Sequence, residues 1–251
     1  RLTGGTINVR LTNSNNANLT GKVTEIVNAG TVTTNGALEV GKLTNNKTLN
    51  VNAGATLTSA NKVQNTGTIN LAGNLQADVA NATTGTIELD RGTVTGDVEN
   101  SGTVEGNGTI DGSLTTRAGS ATTMSGTITK DLINQGATLK LSKDLTIKGV
   151  ITGGTAPQTN RAVAAAAAPA GATPAAVAGP SMTINAGTTL TALGGVTNYA
   201  GSALTVDGTL DTTTVTNYGS YTQTGTLDGS LDAKGGTATM GGTVTGNVNY
   251  T

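Results

Sequence analysis

The 251-residue chain contains no cysteine, histidine, tryptophan or phenylalanine, and aromatic residues make up only 2% of it. Without cysteine and histidine it lacks disulfides, thiolate nucleophiles, the commonest zinc ligands and the commonest general base. Large rings dominate the buried area of most globular cores, so their scarcity predicts a core too narrow to hold them. We therefore expect a protein that is not an enzyme and that binds no metal or cofactor.

Charge is also scarce: charged residues make up 12% of the chain and the formal net charge is −1. A nucleic-acid partner is not expected, because contacts with phosphates require clustered Lys and Arg. No apolar run reaches the ~18 residues of a membrane-spanning helix, and no signal peptide opens the chain. Both ends read as repeat sequence, so we expect a fragment of a longer protein.

What the chain contains instead is Gly, Thr, Asn, Val and Ala in a repeated order. Residues 98–104 (VENSGTV) return as residues 215–221 (VTNYGSY), and residues 108–114 (GTIDGSL) return as residues 225–231 (GTLDGSL). Looser copies recur every ~16 to 20 residues, a period that is typical of stacked structural repeats rather than of one globular core.

Short strands within each copy alternate apolar and polar residues, as in residues 67–71 (GTINL) and 138–141 (TLKL). This period of two places Val, Ile and Leu inside and Thr, Lys, Glu and Asn outside. A meander of antiparallel hairpins would alternate in the same way, but it would not need the same corner residue at one coil length each time. The pattern therefore predicts an all-β solenoid of parallel, in-register coils, a single rod of about 13 coils and roughly 60 Å.

Asparagine marks the corner of most copies, often as Asn-x-Gly. Asn and Gly tolerate positive φ, which predicts that these residues turn the chain. Stacking in register would also place Asn on Asn and Thr on Thr, where amides and hydroxyls form hydrogen-bonded ladders. The predicted corner ladder consists of Asn28, Asn65, Asn100, Asn134, Asn198 and Asn217.

An Ala/Pro/Gly tract within residues 155–181 interrupts the repeat, and Pro169, Pro174 and Pro180 would break any long helix there. We expect a loop extruded from one corner, flexible or with one helical turn at residues 164–168. The rest of residues 1–251 is then one continuous β-helix, because a solenoid tolerates insertions between coils that contact only their neighbours. A binding arm or a processing site is the functional alternative to a simple loop.

Carboxylates are the remaining candidates for catalysis. Asp111 and Asp228 occupy equivalent positions in the two long copies, and Asp207 and Asp211 precede the second copy. Polysaccharide lyases and hydrolases built on β-helices use clustered acids. Each of these aspartates, however, precedes Gly or follows a strand, which is ordinary turn chemistry, and the sequence favours that interpretation.

Threonine triplets invite a comparison with ice-binding surfaces. A flat array of Thr-x-Thr would have to recur in nearly every coil at constant coil length. Here coil length varies and several coils lack the triplet, and Thr is in any case a favourable strand residue. We therefore expect no ice-binding surface. The triplets lie at residues 31–33, 56–58, 93–95, 127–129, 189–191 and 243–245.

Tyr199, Tyr218 and Tyr250 each follow an asparagine and are the candidate surface-binding residues. Equivalent positions on successive coils would place them along one edge of the rod. Stacked exposed rings there would bind glycans or proteins. The alternative, which the sequence favours, is a ring ladder that packs the corners.

The repeat Asn-x-Gly-Thr-Val followed by Gly-Thr-Ile-Asp-Gly-Ser-Leu, with no cysteine and few aromatics, resembles the passenger domains of Gram-negative autotransporters. Filamentous haemagglutinin-like exoproteins are similar. The resemblance covers nearly all of the chain outside the Ala/Pro tract. It implies a right-handed parallel β-helix, type V export through an outer-membrane β-barrel outside this chain, and a location at the cell surface or in the medium.

The functions implied by this resemblance are adhesion, aggregation or biofilm formation, with virulence as the biological setting. The partner would be a host or bacterial surface protein or glycan, or a second copy of the chain. No Gly-Asp-Ser-Gly-type serine site of the family's proteases is present. A carbohydrate-active β-helix enzyme, either a polysaccharide lyase or a hydrolase, is the alternative function.

Overall fold

The computed structural model describes residues 2–154 and 179–251, in which all regular structure is β-strand. Neighbouring strands are parallel, as is shown by the pairs Gly21–Asn28 with Ala37–Asn45, Thr86–Thr95 with Thr103–Ile110, and Thr209–Asn217 with Thr226–Ala233. Within the described ranges, antiparallel pairing is confined to a single bridge between Arg117 and Gly136. The strands form a right-handed β-solenoid of about 12 turns. The predicted fold class is confirmed, and the number of turns is close to the predicted 13.

Each coil contributes three short strands, so the rod has three faces, which we name A, B and C in chain order. In the coil that ends at Asn81, the A strand is Thr68–Leu71, the B strand is Asn74–Gln76 and the C strand is Val79–Asn81. Alternation along these strands buries four aliphatic side chains and one asparagine per coil. In this coil the buried residues are Ile69, Leu71, Leu75, Val79 and Asn81.

Long strands run around a corner and belong to two faces, whereas short strands belong to one. Strands confined to face A are β2 (Asn16–Asn18), β4 (Thr31–Thr34), β6 (Thr48–Val51), β9 (Thr68–Leu71), β18 (Thr138–Leu141), β21 (Ser181–Ile184), β24 (Ala203–Val206), β26 (Ser220–Gln223) and β28 (Thr237–Met240). Strands shared by faces A and B are β12 (Thr86–Thr95), β14 (Thr103–Ile110) and β16 (Ala121–Ile128). Strands confined to face B are β7 (Thr56–Ser59), β10 (Asn74–Gln76), β19 (Leu145–Ile147), β22 (Thr189–Ala192) and β29 (Thr243–Val244).

The remaining strands complete face C. Strands shared by faces B and C are β1 (Thr6–Asn13), β3 (Gly21–Asn28), β5 (Ala37–Asn45), β25 (Thr209–Asn217) and β27 (Thr226–Ala233). Strands confined to face C are β8 (Val63–Asn65), β11 (Val79–Asn81), β13 (Val98–Asn100), β15 (Leu114–Arg117), β17 (Leu132–Gln135), β20 (Ile151–Gly153), β23 (Val196–Asn198) and β30 (Val248–Tyr250).

One inward position at the end of face C stacks directly from coil to coil, and we call this stack the asparagine column. At ~4.8 Å per step it gives the described rod a length of roughly 60 Å. Its members in chain order are Asn13, Asn28, Asn45, Asn65, Asn81, Asn100, Thr116, Asn134, Gly153, Asn198, Asn217, Ala233 and Tyr250.

The core contains one fully buried ring, so the expectation of a core too narrow for aromatic side chains is wrong at one place. Tyr221 is 0% exposed. Its register partners on the two neighbouring coils are Leu204 and Ala238. Ala238 has a smaller side chain than Leu204, and the space that this leaves offsets the larger volume of the Tyr221 ring.

Face A is interrupted in the middle of the rod. Strands β18, β21, β24, β26 and β28 form a separate five-stranded sheet, and β16 has no ladder with β18. At the same level face B continues through β16 and β19, and face C continues through β15 and β17. Thr122 Oγ1, at this interruption, is the one buried side-chain polar atom without a partner in the described ranges.

The coils on either side of the insertion stack directly on each other. Ile151 pairs with Val196 on face C, and Thr138 pairs with Ser181 on face A. Residues 155–178, which contain the predicted loop and its helical turn at 164–168, lie outside the described residues. Strand β21 begins at Ser181, where the insertion was expected to end.

Candidate functional site

All six predicted corner asparagines lie in the asparagine column and are at most 2% exposed. In the first part of the column, each Nδ2 from Asn13 to Asn81 donates to the Oδ1 of the asparagine one coil further on, at 2.7–2.8 Å. This chain of bonds runs through Asn13, Asn28, Asn45, Asn65, Asn81 and Asn100. Asn198 donates to Asn217 in the same way at 2.7 Å.

Every ladder asparagine also donates to the backbone carbonyl of the first residue of a face A strand. Asn65 Nδ2 donates to the carbonyl of Thr86 at 3.1 Å, and Asn81 Nδ2 donates to the carbonyl of Thr103 at 3.0 Å. Asn100 Oδ1 accepts from the N–H of Gly102 at 3.0 Å. These buried amides are therefore fully satisfied, and amides that point the same way along an axis reinforce one another. The ladder joins the coils from within a chain that has no disulfide.

Positive φ, the reason that the sequence suggested for these corners, is wrong for the asparagines themselves and is confirmed at Gly136, which follows Asn134 by two positions and has φ of 119°. Among the described residues, Arg91 is the one non-glycine residue with positive φ, at 62°. At Gly67 and Gly102 the glycine is required by close contact instead. A Cβ on Gly67 would collide with the carbonyl of Lys47, and a Cβ on Gly102 would collide with the carbonyl of Gly85. The motif thus couples a buried amide to a backbone that packs directly on the preceding coil.

Three ladder members were not among the six predicted ones: Asn13, Asn45 and Asn81. Glycine does not stand two positions after them, as in Asn45-Asn46-Lys47 and Asn81-Ala82-Thr83. The usable signal is the inward register position at the end of an alternating strand, because the buried amide is the common feature and the glycine is not.

The ladder is interrupted at Thr116 and at Gly153. Thr116 Oγ1 donates to Asn134 Oδ1 at 3.3 Å, a longer bond than those between amides. Gly153 offers no side chain, and Ser202 Oγ donates to Asn198 Oδ1 at 2.7 Å in its place. The rod therefore has a continuous run from Asn13 to Asn100 and an interrupted part from Thr116 onward.

Tyr199 and Tyr218 lie one residue beyond the asparagine column on successive coils, since the asparagines that precede them are register partners. Their ring centroids are 6.2 Å apart and the rings are 14° from parallel. Tyr199 is half-buried, and Tyr218 is 40% exposed. The structure brings together these two of the three candidate tyrosines on one edge of the rod.

Tyr250 does not belong to this stack. It is the register partner of Ala233 and therefore lies in the asparagine column itself, with 62% of its side chain exposed. The position after Tyr218 on the next coil is taken by Lys234. The Asn-Tyr pair was misleading here because Asn249 is an outward residue of face C, paired with Asp232.

The fourth tyrosine was not singled out by the sequence. The Tyr221 hydroxyl donates to Gln223 Oε1 at 2.8 Å, and Gln223 Nε2 donates to the carbonyl of Thr243 at 2.6 Å. Burial raises the pKa of Tyr221. Gln223-Thr224-Gly225 thus has the same role at the end of face A as Asn-x-Gly has at the end of face C. The Tyr221 hydroxyl donates to the amide oxygen of Gln223, as a neighbouring asparagine does in the asparagine column.

A groove of about 600 Å³, open to solvent, lies beside Tyr218 at the corner where face C passes into face A. Gly219 and Gly236 form part of its floor, and Ser220 and Thr237 lie at its side. None of the described residues that line it is charged. The groove combines an aromatic ring with hydroxyl groups, which suits a neutral polar ligand.

The candidate catalytic aspartates are all engaged by threonine hydroxyls of neighbouring coils. Asp211 and Asp228 are register partners on face B. The hydroxyl donors and the O–O distances are Thr129 to Asp111 at 2.7 Å, Thr224 to Asp207 at 2.6 Å, Thr191 to Asp211 at 3.4 Å and Thr245 to Asp228 at 2.7 Å. These bonds match the turn and ladder role that the sequence favoured.

The threonines of face B stack on one another without forming a flat two-column array. One outward column is uninterrupted over five coils, namely Thr93, Thr109, Thr127, Thr146 and Thr191. The second column of the triplets is broken: Thr58 pairs with Gln76, and Thr129 Oγ1 donates to Asp111. These hydroxyls are bound within the rod and do not form a regular lattice.

Some charged side chains of the continuous run pair with one another between coils on the outside of face C. Glu25 lies 2.8 Å from Arg10 and 3.5 Å from Lys42. The hydrogen bond from Arg10 lowers the pKa of Glu25, and the bond from Lys62 lowers the pKa of Glu99. Exposed pairs of this kind add little stability, so they contribute to register more than to folding energy.

Neither a metal cluster nor a membrane helix appears in the described ranges. No group of three or more acidic residues there is placed to hold a metal ion, and no helix there is long and apolar enough to cross a bilayer. No family model, curated protein or solved structure significantly matches this chain.

Proposed function

We propose that this chain is the rod of a bacterial adhesin, displayed on the cell surface or secreted, and exported through an outer-membrane barrel as autotransporter passengers are. The observation that carries the proposal is the form of the exposed surface. Stacked columns of threonine, asparagine and serine run along the rod, and a partly exposed tyrosine pair interrupts them on one edge. Such a surface offers repeated weak contacts, which add up through multivalency.

The chemistry of the acids supports an adhesive rather than a catalytic role. Glycoside hydrolysis requires two carboxylates held on either side of the scissile bond. Asp211 and Asp228 stack on the same face, and Thr191 and Thr245 donate to them. A carbohydrate-active enzyme remains the alternative function, but no observation in the described residues favours it.

The ladder supports the proposed location outside the cell. An exported protein without cysteine has to be stabilised by other means. Here the inter-coil amide bonds of the continuous run, at 2.7–2.8 Å, fix neighbouring coils from within. A rod with this construction folds without an oxidant, coil upon coil.

Attachment of cells to beads that carry the purified chain tests the proposal. We expect the beads to bind host or bacterial cells more than beads that carry a protein of similar charge, and we expect soluble chain to compete. Sedimentation of the chain over a range of concentrations tests self-association separately. A chain that neither binds cells, nor clumps them, nor self-associates would contradict the proposal, and so would turnover of a polysaccharide that is abolished by Asp228→Asn.

A further inference from the structure

The groove beside Tyr218 persists because its floor admits no side chains. A Cβ on Gly219 would collide with the carbonyl of Ser202, and a Cβ on Gly236 would collide with the carbonyl of Gly219. The glycines are required for coil-to-coil packing, and their bare backbone leaves a trough at the corner. The trough follows successive coils and is therefore parallel to the rod axis.

The ring at the edge of the trough is held in place before any ligand arrives. Tyr218 packs against Tyr199 with the rings 14° from parallel, yet 40% of Tyr218 is exposed. A ring that is fixed in this way loses little conformational freedom on binding. It offers an apolar face and a hydroxyl at the same place.

The wall of the trough repeats with the coil. Ser181, Ala203, Ser220 and Thr237 are successive register partners on face A. Their spacing of ~4.8 Å is close to the length of one sugar residue in an extended chain. Each hydroxyl both donates and accepts hydrogen bonds. Lys234 precedes the lining residue Gly235, and its Nζ lies 4.0 Å from Asp232 Oδ2.

On these grounds we propose that the trough binds a neutral, extended glycan that runs along the rod axis. The C–H face of one sugar packs on Tyr218, and the hydroxyls of the chain exchange hydrogen bonds with Ser220 and Thr237. A peptide is a poorer fit, because the strands here already pair on both sides and offer no free edge. This inference rests on the proposed adhesive function and names its ligand class.

Binding of the purified chain to neutral and to anionic oligosaccharides tests the inference by calorimetry and on a glycan array. We expect binding to a subset of neutral glycans, little change with salt, and at least a tenfold loss in Tyr218→Ala. Tyr218→Phe should retain most of the affinity, because the ring face is kept. Tyr250→Ala is the matched control on a tyrosine outside the trough and should bind as the wild type does.

The possible failures are distinguishable. If the wild-type chain attaches to cells but Tyr218→Ala attaches equally well and soluble neutral glycans do not compete, the trough assignment is overturned while adhesion stands. Salt-sensitive binding to sulfated or sialylated glycans alone would also overturn it. A wild-type chain that attaches to nothing overturns the adhesive function itself. An unchanged circular dichroism spectrum and melting curve for Tyr218→Ala separate loss of binding from loss of fold.

Discussion

The continuous run and the interrupted part of the rod bury aliphatic side chains in the same way but treat the polar column differently. From Asn13 to Asn100 every coil contributes an amide, and face A is one sheet. From Thr116 onward the column contains threonine, glycine and alanine, and face A begins a new sheet at Thr138. The aliphatic core therefore determines the conformation of each coil, while the asparagine column determines how firmly one coil is joined to the next.

The interrupted part compensates with local substitutes. Ser202 supplies the hydrogen bond that Gly153 cannot, and the Tyr221–Gln223 pair satisfies a corner at the other end of face A. A hydroxyl has one proton to give, whereas a primary amide has two. We therefore expect coils of the continuous run to be joined more firmly than those of the interrupted part. The same part holds the tyrosine pair and the trough, so the regularity of the ladder is lowest where the candidate binding surface lies.

Replacement of one amide in the continuous run should have the largest effect. Asn65→Ala leaves the Nδ2 of Asn45 and the Oδ1 of Asn81 without their partners inside the rod. Each buried unsatisfied group costs ~1–3 kcal/mol, so the two groups together give an expected loss of roughly 2–6 kcal/mol. The measurement is the denaturation midpoint in guanidinium chloride, which should fall strongly.

Asn70→Ala is the matched control for Asn65→Ala, because Asn70 lies in the same coil but points outward and donates to Asn50 at 2.8 Å. It should change stability by less than ~0.5 kcal/mol. Thr116→Ala provides the comparison with the interrupted part and should cost about 0.5–1 kcal/mol, since one longer bond is lost. Equal losses in all three variants would show that the ladder does not distinguish the two parts.

A glycine of the continuous run should be the next most sensitive position. Gly102→Ala drives a Cβ into the carbonyls of Gly85 and Ala82, and forced packing of this kind costs about 2–3 kcal/mol. Gly119, at the start of the interrupted part, has φ of +80° and open space around it. Gly119→Ala should therefore cost only about 1 kcal/mol of backbone strain.

Thermal melting of the two glycine variants checks this order, and amide NMR signals of the ladder asparagines locate the damage. In Gly102→Ala the side-chain amides of Asn81 and Asn100 should shift, because Asn100 Oδ1 accepts from the N–H of Gly102. An equal or larger loss in Gly119→Ala would mean that positive φ matters more here than contact between coils.

The sequence was sufficient for the fold because period and alternation recur in every coil. Inward Leu and Val, outward Thr and a corner that recurs every ~16 to 20 residues leave little choice besides parallel stacking. The chemistry of the corner could not be predicted in the same way. Asn-x-Gly suggests a turn at positive φ, whereas the structure uses Asn65 as a buried amide and Gly67 as a point of backbone contact. Distinguishing these uses requires the register between coils, which a local motif does not contain.

The candidate site shows the same limit. Tyr199 and Tyr218 were found because both follow a column asparagine, but Tyr250 follows an outward one and lies elsewhere. Tyr221 was missed because composition alone argued against rings in the core. The trough is created by the absence of side chains at Gly219 and Gly236 on adjacent coils, and it becomes visible only when the coils are stacked.

A smaller effect is expected at the Tyr221–Gln223 pair, a substitute that belongs to the interrupted part. Tyr221→Phe removes the proton that Gln223 Oε1 accepts at 2.8 Å, at a cost of about 1 kcal/mol at neutral pH. Burial raises the pKa of the Tyr221 hydroxyl above that of an unfolded tyrosine. Stability from this group is therefore complete below pH ~10 and is lost as pH rises further, because unfolding then releases a proton.

Denaturation midpoints at neutral and alkaline pH test the predicted loss of stability with rising pH. The wild type should lose more stability than Tyr221→Phe above pH ~10, so the gap between the two should narrow or reverse there. Tyr250→Phe, a change at an exposed ring, should follow the wild type at every pH. If Tyr221→Phe loses stability with pH as steeply as the wild type, the ring is not protected from ionisation by burial.

The smallest expected effect is a gain, and it would extend the continuous run into the interrupted part. Asn100 Nδ2 now donates to the carbonyl of Ala121 and has no amide above it, while Asn134 Oδ1 accepts a 3.3 Å bond from Thr116. Thr116→Asn places an amide between them and allows one bond to each, worth about 1 kcal/mol together after the lower strand preference of asparagine is deducted. The matched control is Thr115→Asn, one residue earlier and outward, which should bring no gain.

If Thr116→Asn raises the denaturation midpoint no more than Thr115→Asn does, the break in the ladder at Thr116 is not what weakens this part of the rod. The interruption of face A between β16 and β18 then becomes the cause to test.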